Sequence, residues 1–251
     1  MYLEPRRIAR VTSTRIEIET EDGVAPAFVY GAPSAPSVLL LMDGIGMRPA
    51  MHELAARLAD AGYHVLMPDL FYRLGEYTAP DPAALFSDPA VRAAWWGRHS
   101  TTTAASLVRD IGAYLAHLAA PKVGVTGYCM GGRLALSAAA TYPDRIAAAA
   151  AYHPGGVVTE AADSPHLLLG KIRGSVYVGA AMEDPSFTDP QRQTVDDALT
   201  AAGVDHVVEL YQARHGWVPA DTPVHDPTAT ARHWETLLAL FARTLGGAGA
   251  R

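Results

Sequence analysis

The single cysteine of this 251-residue chain lies in Gly127-Tyr128-Cys129-Met130-Gly131-Gly132, with a glycine two positions to either side. An apolar run, Val123-Gly124-Val125-Thr126, precedes it, and a helix-forming run from Arg133 to Ala140 follows and stops before Pro143. Strand, tight turn and helix in that order lift a side chain to the top of a sheet, as in the G-x-S-x-G elbow with cysteine in place of serine. The following helix offers unpaired N–H groups and the positive end of its dipole. Both favour a thiolate and any oxyanion formed beside it. A free cysteine can also pack as a small hydrophobe, but the paired glycines and the strand-to-helix setting favour a nucleophile.

A thiol that attacks a carbonyl needs a base, and the base needs an orienting acid. Two later segments supply them, each after a strand-like run: Ala180 to Pro185 carries Glu183 and Asp184, and Gln212 to Trp217 carries His215. Either carboxylate could orient the histidine. Of the ten histidines, His215 stands out by its place after the last strand, with His225 as a second candidate. His153, before Pro154-Gly155-Gly156, could face a pocket or serve its loop. No histidine pair at metal-ligand spacing has a carboxylate nearby, so neither a metal nor another cofactor is expected.

The elements that must hold these groups alternate. Thr14 to Thr20 and Ala25 to Tyr30 flank the turn signal Glu21-Asp22-Gly23 and predict an N-terminal β-hairpin. Val38 to Met42 is a continuous apolar run, as in a strand covered on both faces. Met51, Leu54, Ala55, Leu58 and Ala59 recur at helical spacing and end at Gly62; His64 to Met67 reads as the next strand. A helical stripe through Leu107, Ile111, Leu115 and Leu118 precedes the elbow. Strands follow at Ile146 to Tyr152, Ser175 to Gly179 and His206 to Tyr211, with helices near Gln191 to Ala202 and Thr228 to Leu245. The alternation predicts an α/β fold, a mostly parallel sheet flanked by helices, in one domain over residues 1–251. Residues 71–100, with Pro80, Pro82, Pro89 and the pair Trp95-Trp96, hold no sustained period and read as a cover over a binding site.

Composition narrows the partners. With 49% hydrophobic and 18% charged residues and a net charge of −6, the chain has no basic cluster to attract nucleic acid or an anionic membrane. One cysteine excludes an intramolecular disulfide. The start, Met1 to Arg7, has charges breaking any apolar region, and no run is long enough to span a bilayer. A cytoplasmic monomer or homodimer with a small-molecule partner is expected.

The chain resembles the dienelactone hydrolase family of α/β-hydrolases from Val38 to its last helix. The resemblance is carried by Gly127 to Gly132, by Met67-Pro68-Asp69-Leu70-Phe71-Tyr72-Arg73 and by His215-Gly216-Trp217. It implies the α/β-hydrolase fold, a Cys129–His215–Asp184 triad, and oxyanion donors at the backbone N–H groups of Gly44 and Met130. It further implies that Asp43 stands where the family has a glutamate that modulates the thiol. Arg73 matches one of two arginines that hold a substrate carboxylate; Pro219 occupies the place of the other. The implied activity is hydrolysis of small lactones or activated esters, and loss of the second arginine points to neutral or aromatic ones. Trp95, Trp96, Trp217 and His153 are expected along the pocket with Arg73. Two alternatives are acyl transfer or a non-hydrolytic rearrangement in a biosynthetic pathway, and a catalytically silent scaffold that binds a ligand or partner.

Overall fold

The computed structural model describes residues 13–99 and 102–246. Strands β1 (Thr14–Thr20) and β2 (Gly23–Tyr30) form the expected hairpin, pairing antiparallel from Thr14 opposite Val29 to Thr20 opposite Gly23. Then come β3 (Ser37–Leu41), α1 (Pro49–Asp60) and β4 (His64–Pro68). Strand β2 runs antiparallel to β4, whereas β3 is parallel to β4. All five residues of β3 are buried, which is why its sequence is apolar without alternation.

Residues 71–99 are more regular than the sequence suggests. A 3-10 turn at Tyr72–Leu74 leads to two short helices, α2 (Pro82–Ser87) and α3 (Pro89–Arg98). Each starts on an aspartate followed by proline: Asp81 accepts from Ala83 N–H at 3.0 Å, and Asp88 from Ala90 N–H at 2.7 Å. Such a cap satisfies an end N–H, and a proline at the first helical position has none to satisfy. The helices are too short to show a period; the Asp-Pro pairs were their signal.

After α4 (Ala104–His117) the chain repeats one unit. Strand β5 (Val123–Tyr128) leads through Cys129 to α5 (Met130–Thr141), then β6 (Ile146–Tyr152), β7 (Ser175–Glu183), α6 (Asp189–Ala201), β8 (His206–Arg214) and α7 (Pro227–Phe241). The eight strands lie in the order β1-β2-β4-β3-β5-β6-β7-β8, and every pair from β4 onward is parallel. Crossover helices cover the sheet, so β5 is buried along its whole length. The carboxyl ends of β3, β5, β7 and β8 open on one edge, where a ligand site in an open parallel sheet belongs. Among the described residues no helix is long and apolar enough to cross a membrane.

Candidate active site

Cys129 sits between β5 and α5 at φ 53° and ψ −113°, one of two described non-glycine residues with positive φ. The turn is so tight that a Cβ on Gly127 would lie 2.2 Å from the Gly131 carbonyl oxygen, and one on Gly131 would lie 2.2 Å from that of Leu41. Neither position admits another residue without moving backbone. Strain of this kind costs on the order of 1–3 kcal/mol and persists where surrounding structure enforces it. Here the Cys129 N–H donates to Tyr152 O at 3.1 Å while its carbonyl accepts from Arg133 N–H at 3.2 Å.

The end of β7 delivers Asp184 and the end of β8 delivers His215. His215 Nδ1 donates to Asp184 Oδ2 at 2.6 Å, and His215 and Cys129 line the same pocket. The other carboxylate oxygen of Asp184 accepts from the Ser186 N–H at 2.8 Å and from its hydroxyl at 2.5 Å. That hydroxyl also lies 3.2 Å from His215 Nδ1, so Ser186 braces the pair. Burial disfavours a charged imidazole, but Cys129 and the Asp184 carboxylate beside it outweigh that and push the His215 pKa up to about 10. Burial likewise works against the Asp184 carboxylate, yet His215 and Ser186 hold its pKa below the usual value. The rival candidates lie elsewhere: Glu183 accepts from exposed Arg214 at 3.0 Å, and His225 Nδ1 donates to Trp217 O at 2.9 Å.

A pocket of about 660 Å³ opens over Cys129 and is lined by Gly44, Met130, His153, Asp184 and His215. Its outer wall comes from residues 71–99 through Leu85, Phe86, Trp96 and His99, with Leu107 of α4 beside them. Gly44 follows β3 and Met130 begins α5; neither N–H has an acceptor among the described residues. His153 faces the pocket with φ 38° and no exposed surface; burial and the neighbouring His215 charge hold its pKa well below the ordinary value. Its ring stands edge-on to His215, centroids 5.2 Å apart.

Arg73, Trp95 and Trp217 need correction as pocket residues. Arg73 does not reach the pocket: it donates to Asp22 at 2.6 Å and to Asp110 at 3.0 Å, because Asp110 on α4 is 1% exposed and a buried carboxylate requires a counter-charge. Asp43 lines the pocket, and its carboxylate is held by neighbours. It accepts from Ile45 N–H at 2.9 Å and from both ends of the Arg48 guanidinium, at 2.7 and 2.9 Å. Trp95 is buried, and its indole N–H fixes the Gly44 carbonyl at 2.9 Å, so it braces the loop instead of lining the pocket. Trp217 is fully buried, stacked on Tyr211 at 4.8 Å behind His153. Trp96 alone of these tryptophans lines the pocket, and it packs so closely on Gly44 that a Cβ there would lie 2.6 Å from its ring.

Arg48, Ser186, Arg92 and Arg133 were missed. Arg48 joins Asp43 to Asp221, accepted by Asp221 Oδ2 at 2.7 Å, and so ties the Gly44 loop to the segment after His215. Ser186 carries a local signal, the turn in which an aspartate accepts the N–H two residues on. Because Arg73 serves the fold, Arg73→Ala is expected to destabilise the protein by about 3 kcal/mol through the stranded Asp110. Denaturant melts check the loss of stability, and kcat/KM for an aryl ester measured well below the midpoint should stay at the wild-type value.

The parallel sheet, the nucleophile elbow and the acid and histidine at successive strand ends define an α/β-hydrolase. Residues 25–245 match the Dienelactone hydrolase family, and the chain belongs to it. It is 28% identical to a carboxymethylenebutenolidase of Rhodococcus opacus over 84% of this chain and 82% of that protein. It is 27% identical to the carboxymethylenebutenolidase of Pseudomonas putida, over 86% of this chain and 90% of that one. A solved putative dienelactone hydrolase from Klebsiella pneumoniae superimposes with a TM-score of 0.78 at 22% identity, covering 93% and 99% of the two chains.

Proposed function

We propose that this protein hydrolyses small lactones and activated esters through an acyl-enzyme on Cys129. The observation that carries the proposal is the 2.6 Å hydrogen bond between Asp184 and His215, with His215 and Cys129 lining one pocket. The thiolate attacks the carbonyl carbon, and the oxygen takes up the negative charge between the N–H groups of Gly44 and Met130. Collapse of that intermediate expels the leaving oxygen, which takes the proton of His215. Acylation then removes the thiolate that raised the histidine's pKa, so the same residue becomes a base for water. Water adds to the thioester, the proton passes to His215, and the thiolate departs with the acid as product.

Two things support the substrate class. A thiolate, with a free pKa of about 8.5, leaves more readily than an alkoxide, so ordinary alkyl esters revert whereas enol lactones, aryl esters and thioesters go forward. The relatives' name, carboxymethylenebutenolidase, denotes action on a butenolide lactone. Intact-protein mass spectrometry after mixing with a panel of aryl esters and enol lactones tests the reading. An acyl mass on the peptide bearing Cys129, with ¹⁸O from labelled water in the released acid, is expected. Turnover with no adduct under rapid quench would remove the covalent route, and product free of ¹⁸O would make the reaction a transfer or a rearrangement.

A further inference from the structure

Among the described residues few large apolar side chains stay exposed, and two of them, Trp96 at 43% and Phe86 at 37%, line the pocket over Cys129. Apolar surface held open in a concave site is surface that a ligand can cover. The two rings rest on different loops. Trp96 packs on Gly44, the proposed oxyanion donor, where an added Cβ would lie 2.6 Å from its ring. Phe86 packs on Gly216, next to His215, where an added Cβ would lie 3.2 Å from its ring. A leaving oxygen must reach the proton of His215, so the leaving group of an ester points toward Phe86. The acyl group then runs the other way, from the Gly44 N–H toward Trp96.

Behind Trp96 the wall is aromatic. The His99 ring lies 5.9 Å from it between centroids, Phe71 lies against His99 at 4.0 Å, and Trp95 stands edge-on to these two at 4.7 and 6.1 Å. Burial and the Arg98 charge hold the His99 pKa below its ordinary value, so at neutral pH the imidazole is one more uncharged ring. Phe71 and Trp95 are buried, which leaves Trp96 as the open end of the cluster. Arg92 fixes its position: Nε and Nη2 donate to the carbonyl oxygens of Leu85 and Phe86 at 3.1 and 3.0 Å and fasten α3 to α2. The rings are therefore in place before a substrate arrives, which lowers the cost of binding.

We infer that Trp96 seats an aryl ring on the acyl side of the substrate, so that the site selects arylalkanoyl esters, thioesters or lactones whose ring stands close to the reacting carbonyl. Such a ring adds one member to the cluster through edge-to-face or offset contact. An aliphatic group of the same bulk covers the same surface but lacks the ring quadrupole that makes those contacts favourable. This rests on the hydrolase reading above and names the group that chooses among its substrates.

The test has two arms. The first compares 4-nitrophenyl phenylacetate with 4-nitrophenyl cyclohexylacetate, which share a leaving group and nearly the same bulk, each rate being divided by that of its alkaline hydrolysis. The corrected kcat/KM is expected to favour the phenyl ester by about fivefold. That preference should vanish in Trp96→Leu and be partly kept in Trp96→Phe, whereas Phe86→Leu, on the leaving-group side, should leave the ratio where it was. A corrected wild-type ratio of unity or below overturns the proposal without any variant. A preference that survives Trp96→Leu, or that Phe86→Leu removes, overturns it as well.

The second arm needs no hydrolysis. Cys129, the chain's one thiol, is alkylated with 2-iodo-N-benzylacetamide and with 2-iodo-N-(cyclohexylmethyl)acetamide. The benzyl reagent is expected to react faster by a similar factor, and Trp96→Leu to abolish the difference. That difference with no ester turned over would sink the hydrolase reading while the aryl site stands. Turnover of both esters with no preference in either arm removes the aryl site and leaves the hydrolase.

Discussion

Cys129→Ala is expected to lower kcat for an aryl ester by roughly ten-thousand-fold or more while the protein remains folded. Alanine keeps the Cβ that the site already accommodates at φ 53°, so the turn gains no new clash. In the proposed mechanism the sulfur, by contrast, is the nucleophile, and Cys129 is the largest upward influence on His215. Cys129→Ser should fall far short of wild type, because a hydroxyl is a much weaker nucleophile than a thiol unless a stronger base activates it. Burst kinetics with 4-nitrophenyl acetate on protein of confirmed native circular dichroism check this. Undiminished turnover by Cys129→Ala would return the cysteine to a packing role.

The parts legible in the sequence are those written into short stretches. Gly127 and Gly131 announce the elbow because backbone passes 2.2 Å from where their Cβ atoms would stand. Asp184 and His215 were legible because a parallel sheet brings successive strand ends to one edge, so chain order becomes proximity. Positions settled by distant partners were not. Arg73 sits in a stretch that resembles a substrate site, but its hydrogen bonds go to residues 51 and 37 positions away, on the hairpin turn and α4. The bidentate pairing of Asp43 with Arg48 is likewise not written into the sequence around it. Trp217 follows the histidine directly, yet its ring fills the core against Tyr211. Arg133 was readable in principle, since a side chain four residues after the helix-capping Cys129 shares its face.

His215→Asn is expected to cost roughly two orders of magnitude more in kcat than Asp184→Asn, since in the proposed mechanism the histidine moves the proton and the aspartate orients it and stabilises its charged form. Ser186→Ala should cost less again, because Asp184 keeps the His215 Nδ1 bond at 2.6 Å when the serine hydroxyl is gone. The pH profile separates orientation from simple damage to the fold. With the His215 pKa at about 10, the acylating form of the site persists below that value, and kcat/KM should fall as the pH rises through it. Asp184 is among the groups that raise this pKa, so Asp184→Asn must move the alkaline limb to lower pH. A mutation that merely loosened the loop would lower the profile without shifting it. Steady-state kinetics from pH 6 to 11 on wild type, Asp184→Asn and Ser186→Ala therefore give a readout of sign as well as size. An alkaline limb that stays in place or moves upward in Asp184→Asn would show that the carboxylate does not govern the charge on His215, and the proton path from Asp184 to Cys129 would have to be redrawn.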